Sequence, residues 1–206
     1  MILPLGADAG VAQATTKNEP PARPPLSCPT PAVASAAQSC ANATRSAPQI
    51  ETILEAQRRL LGKGSRRPVP KAQAQRLAPR PFDADEQAYL QIARAYVCNS
   101  SDSVNRTEIA YAEARQYFEA QHWEEAGTLF HDIAVGPRSD VALYAAQLSL
   151  EAFNIMATNF ARRDCNATLV LHLDEYIARL CTPTAPSDEE SCRTLTSVKQ
   201  ELQKRR

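Results

Sequence analysis

The segment from Ala110 to Pro137, AYAEARQYFEAQHWEEAGTLFHDIAVGP, constrains the fold of this chain more than any other. Ala110, Ala114 and Tyr117 lie four and three residues apart, and Trp123, Ala126, Phe130 and Ile133 follow at three, four and three. Residues spaced in this way share one face of a helix, whereas a strand face repeats every second residue. The spacing therefore predicts two helices joined near Gln121 and packed face to face. The alanines let the two backbones approach closely, and the large side chains fill the space beside them.

This hairpin resembles a tetratricopeptide repeat. It carries small, small and aromatic residues on the first helix, then aromatic, Ala and Phe on the second, then Pro. The resemblance covers residues 110–137 of the 206. It departs from the family pattern where Glu113 and Ala114 stand in place of Leu-Gly, where Gln121 replaces the small residue of the turn, and where Pro137 comes early. The resemblance implies an all-α fold of antiparallel hairpins stacked as a short right-handed array. It also implies a job of holding other chains rather than chemistry. The groove-lining spacing of the family selects Glu108, Tyr111, Arg115, Phe118 and Glu119 as partner-binding residues, suited to an extended peptide or a partner helix. The other reading of Tyr111 and Phe118 is as core residues packed on the preceding helix.

The remainder of the chain divides by composition. Twelve of its fifteen prolines lie in residues 1–81. Residues 15–48 read as a disordered Pro-rich tether, because such a composition buries too little apolar surface to offset chain entropy. Residues 49–62 read as an amphipathic helix with Ile50, Ile53, Leu54, Gln57, Leu60 and Leu61 on one face, either docked or free. Residues 63–82 read as a basic linker and 83–206 as the helical body. In that body Asp83 with Glu86 forms one expected capping box and Ser187 with Glu190 another. Thr107 is an expected N-cap, and Ser139-Asp140 opens an expected helix running to about Arg162 that is apolar nearly all round, hence central. That makes six body helices, with no convincing strand.

The zero net charge is a cancellation. Residues 56–82 hold eight basic residues and no acid, whereas 83–206 hold twelve basic and nineteen acidic. The arm carrying Arg58, Arg59, Lys63, Arg66, Arg67 and Lys71 suits weak, salt-dependent contact with anionic lipid or lipopolysaccharide. Its other reading is a solvated linker, or one folded on the acidic body. Only Phe82 offers a stacking ring, which argues against sequence-specific nucleic-acid binding.

Six cysteines, Cys28, Cys40, Cys98, Cys165, Cys181 and Cys192, form neither C-x-x-C nor a zinc spacing. Their places near helix ends favour disulfides and an oxidising compartment. Six cysteines allow fifteen connectivities. Cys181 with Cys192 would clamp the last hairpin and Cys28 with Cys40 would close a small loop, leaving Cys98 with Cys165. Residues 1–14 end in Ala12-Gln13-Ala14, an A-x-A pattern consistent with the end of an export signal. The other reading of that segment is a disordered tail, with a cytoplasmic protein.

His122, His131 and His172 stand in no nucleophile or metal pattern, and His172 is expected on a polar face. No Gly-rich phosphate loop is present. No catalytic residue, metal or cofactor is therefore expected. The sequence reads as an exported scaffold of a cell envelope or a secretion assembly, similar to bacterial periplasmic repeat proteins, with another protein as partner. The alternative is a structural subunit that self-associates through the same face, and the oligomeric state stays open.

Overall fold

In the computed structural model the described residues are 28, 40, 47–63, 77–181 and 189–204, and among them there are seven helices and no strand. They are α1 Ile50–Lys63, α2 Ala84–Asn99, α3 Ser103–Glu119, α4 Trp123–Val135, α5 Ala142–Asn159, α6 Cys165–Leu180 and α7 Glu189–Lys204. Each packs chiefly on its neighbours in sequence, and α4 also reaches α6. The fold is all-α.

Local chemistry sets the helix ends. Asp83 and Glu86 form the expected capping box, each side chain accepting from the other's backbone N–H at 2.9 Å. Thr107 does not start α3. Asp102 caps it five residues upstream of the expected cap, accepting from the backbone N–H of Val104 and Asn105 at 3.1 Å, so Thr107 lies inside the helix and donates to the Ser103 carbonyl. An Asp carboxylate two to three residues ahead of free N–H groups outcompetes the later Thr hydroxyl. Likewise α5 begins at Ala142 rather than Ser139-Asp140 and ends at Asn159, with Ala161 at a positive φ of 53° just beyond it. Ser187 lies outside the described residues.

The turn between α3 and α4 closes as a Schellman motif. Gln121 sits at φ 67°, its N–H bonds Phe118 O, and His122 N–H bonds Tyr117 O, both at 2.9 Å.

Two apolar clusters result. The larger joins Phe130 and Ile133 of α4, Leu150, Phe153 and Met156 of α5, Leu169, Leu173 and Tyr176 of α6, and Leu195 of α7. The smaller joins Ile53 and Leu60 of α1 to Tyr89, Leu90 and Tyr96 of α2 and Ile109 of α3. Tyr117 touches both clusters. The α1 helix is therefore docked. The central helix α5 packs on both α4 and α6, as its all-round apolar pattern requires. The packed body also reaches back to Leu77. Its carbonyl accepts from Trp123 Nε1 at 2.7 Å, and Phe82 stacks on His122 with centroids 4.5 Å apart. Arg80 makes two bonds to the buried Glu86, at 2.7 and 2.8 Å.

Three disulfides lock this arrangement: Cys28–Cys165, Cys40–Cys98 and Cys181–Cys192. The last is the expected clamp. The other two overturn the expected Cys28–Cys40 and Cys98–Cys165 pairs. A disulfide needs Cα atoms about 4.4–6.8 Å apart, and in the serial order α3, α4 and α5 lie between Cys98 on α2 and Cys165 on α6. Cys28 is instead buried in the larger core, with its N–H bonded to the Asp164 carboxylate. The expected tether is thus anchored covalently at two points. Three disulfides fit an oxidising environment. No helix among the described residues is long and apolar enough to cross a membrane.

Candidate functional site

A cavity of about 450 Å³ opens where α2, α3 and α4 meet. Arg94, Val97 and Cys98 come from α2, Arg106, Thr107, Ala110 and Glu113 from α3, and Leu129, Asp132 and Ile133 from α4. The Cys40–Cys98 disulfide forms part of its wall. Its volume falls within the range of about 300–1,000 Å³ usual for ligand sites. A second pocket of about 260 Å³ adjoins it, lined by Val104 and Glu108 of α3 and by Arg138 to Val141 of the loop before α5. Thr107 and Pro137 line both, so the two form one groove across the N-terminal half of α3.

Glu113 is the polar centre of the groove. It is 1% exposed, and Arg94 Nη2 lies 2.7 Å from its Oε1. Its Oε2 has no hydrogen-bond donor among the described residues. A buried acceptor left in that state costs about 1–3 kcal/mol. Burial pushes the Glu113 carboxyl up to about 7, against the pull of Arg94. Burial likewise pushes Asp132 up to about 6, again opposed by Arg94. Arg106 donates to the Ser100 carbonyl at 3.4 Å.

A separate polar network lies in the larger core. The Tyr176 hydroxyl is 2.9 Å from both His131 Nδ1 and Ser149 Oγ, and Ser149 donates to the Gly127 carbonyl at 2.9 Å. His172 stacks on His131 with centroids 3.9 Å apart, and neither of its ring nitrogens has a hydrogen-bond partner among the described residues. Burial, aided by His131, pushes His172 down to about 3, which keeps the ring neutral. The expected polar placement of His172 is corrected: it faces the core, because α6 turns it toward Phe153 and His131. This network ties α4, α5 and α6 together.

The residues expected to bind a partner separate into two groups. Glu108 is exposed and lines the groove. Arg115 and Glu119 are exposed and paired with each other at 2.8 Å. Tyr111 and Phe118 are half-buried against the following helix, Tyr111 on Phe130 at 5.5 Å and Phe118 on Trp123 at 5.0 Å. Of the basic arm, Arg58 and Arg59 are exposed on α1, with Arg59 paired to Glu55 at 2.7 Å. Arg66, Arg67 and Lys71 lie outside the described residues, as does most of residues 15–48. Cys28, Asp164 and Cys165 are close enough to resemble a metal site, but both sulfurs are committed to the disulfide.

Sequence reasoning missed Arg94, Arg106 and Asp132. For Glu113 a signal existed, since it occupies a position where the repeat pattern places a large apolar residue, and a carboxylate there is forced inward. Comparison of the chain with protein-family models, with curated proteins and with solved structures finds no match.

Proposed function

We propose that this protein is a non-catalytic binding module of an oxidising compartment, which holds a segment of another protein in the groove across α3. The observation that carries this reading is the groove itself, whose two pockets meet at Thr107 and Pro137 beside Val104, 67% exposed. An exposed apolar residue next to a concave, mixed apolar and charged surface is what a partner segment needs for anchoring. The Cys40–Cys98 bond fixes one wall, so little ordering remains to oppose binding. In this reading the serial hairpins form a short tetratricopeptide-like array, residues 1–14 belong to an export signal, and the site of action is a bacterial periplasm or envelope assembly. The basic arm then supplies a weak contact with anionic lipid.

The test places a photoreactive residue at position 104 of the full oxidised chain in its native envelope fraction, with position 171 as control. Leu171 is 69% exposed on α6. One recurrent heterologous partner captured from 104 and absent from 171 supports the reading. Capture of the chain's own copies alone would make it a self-associating structural subunit instead.

A further inference from the structure

Glu113 Oε2 is a buried acceptor without a donor among the described residues, in a cavity whose other walls are largely apolar. The Arg94 charge is already engaged by Glu113 at 2.7 Å. Asp132 lines the same cavity and has no ion-pair partner within hydrogen-bonding reach among the described residues. Arg106 is directed to the Ser100 carbonyl. Val97, Leu129 and Ile133 add apolar wall to the same cavity. The missing component is therefore a hydrogen-bond donor, and a positively charged one complements two carboxylates better than a neutral one. An anion would have to sit against both.

From this geometry we infer that the cavity receives an alkylammonium group, the lysine side chain of the bound partner, its ammonium donating to Glu113 Oε2 beside Asp132 and its stem lying along Val97, Leu129 and Ile133. A lysine combines a flexible four-carbon stem with a compact ammonium, and so pairs an apolar channel with a carboxylate end. This rests on the binding reading above and specifies its anchor. The groups facing Glu113 are Arg94 and Tyr89 from α2 and Tyr117 from its own helix. Of these only Arg94 carries charge near neutral pH, and it remains paired through Oε1 when the ligand takes Oε2.

The experiment titrates the full oxidised chain at pH 8 with n-butylammonium, butan-1-ol and butyrate, three probes of similar size and different head. Backbone amide shifts report the site. The inference expects saturable shifts at cavity residues with butylammonium, at least tenfold tighter than with either other probe. It expects a tenfold or greater loss in Glu113→Gln, and a loss in the same direction in Asp132→Asn. Equal or tighter binding of butyrate overturns it, as does silence of the cavity toward all three. Acetylating the lysines of the partner captured at position 104 then tests the source. Loss of capture supports a partner lysine. Capture that survives acetylation, with butylammonium silent, overturns the inference and leaves the binding function intact. Butylammonium binding without any captured partner removes the proposed function and leaves a small-amine site.

Discussion

Arg94 Nη2 and Glu113 Oε1 meet at 2.7 Å across the contact between α2 and α3, with Arg94 18% exposed and Glu113 only 1%. A buried ion pair is weak evidence for stability, because desolvating the charges offsets much of their attraction. This one is also incomplete, since Oε2 lacks a donor among the described residues. The pair tolerates that cost in the wall of a cavity, where a ligand can complete it. That relation links the packing of the hairpins to the binding proposed for them.

The pH dependence of stability should show the Glu113 cost. Burial raises its pKa from 4.5 to about 7 in the folded chain. Between those values the folded state holds more proton than the unfolded state, so stability falls as pH rises through the window and levels off above it. The full shift corresponds to roughly 3 kcal/mol. Glu113→Gln abolishes the ionisation, so relative to wild type it should gain stability from pH 4.5 upward and plateau above 7. Denaturant titrations at half-unit steps measure the difference, and a flat difference curve would sink the assignment.

His172 has the opposite sign. Its pKa falls from 6.5 to about 3 on burial, so the folded state holds less proton in that window. Its stabilising contribution is present above 6.5 and is lost as pH falls toward 3. The ring should therefore still be neutral at pH 5, which its carbon-bound proton shifts report directly. A charged imidazole at pH 5 would contradict the buried stacking on His131.

Much of the fold was legible because it depends on periodicity and caps. The 110–137 hairpin, the Asp83 cap and the central role of α5 follow from residue spacing alone. The placement of α3's start failed because two capping signals, Asp102 and Thr107, stood five residues apart in the same element. The short-loop clamp Cys181–Cys192 was legible, but the other two pairs were not, because they depend on which segments are neighbours in space: a short loop suggested Cys28–Cys40 and left Cys98 with Cys165. The site was legible only through Glu113, a polar residue at an apolar position. Arg94 and Asp132 carry no such mark, since single charged residues on amphipathic helices are usually solvated.

Tyr176 joins three helices through one hydroxyl. Tyr176→Phe keeps the ring but removes the bonds to His131 Nδ1 and Ser149 Oγ. Ser149 retains the Gly127 carbonyl, whereas His131 loses a buried partner. We expect a loss of about 1–3 kcal/mol with an unchanged helical spectrum. A loss below a few tenths would show that the network adds nothing to stability.

The three disulfides should rank by loop length. They span 137, 58 and 11 residues, and the chain-entropy treatment assigns about 5, 4 and 3 kcal/mol respectively. Paired Cys→Ser variants should therefore melt in the order Cys28/Cys165 lowest, then Cys40/Cys98, then Cys181/Cys192. The reverse order would mean that local packing, rather than restriction of the unfolded chain, sets their value.

Gln121 occupies the left-handed turn that glycine favours, at φ 67°. Gln121→Gly relieves about 1–2 kcal/mol of strain and costs about 0.5–1 kcal/mol in chain entropy. The net should be a gain of roughly 0.5–1 kcal/mol, read as a raised Tm. Gln121→Val should lower it.

If the groove across α3 is the binding surface, its junction at Thr107, where the two pockets meet, must stay open. The most direct measurement is the yield of partner crosslinked from position 104, compared between the native sequence and Thr107→Trp, with melting temperatures checked for both. Crosslinked partner should fall at least tenfold when the indole occupies the junction, with the melting temperature retained. Undiminished capture by a folded Thr107→Trp chain would contradict a binding role for the groove.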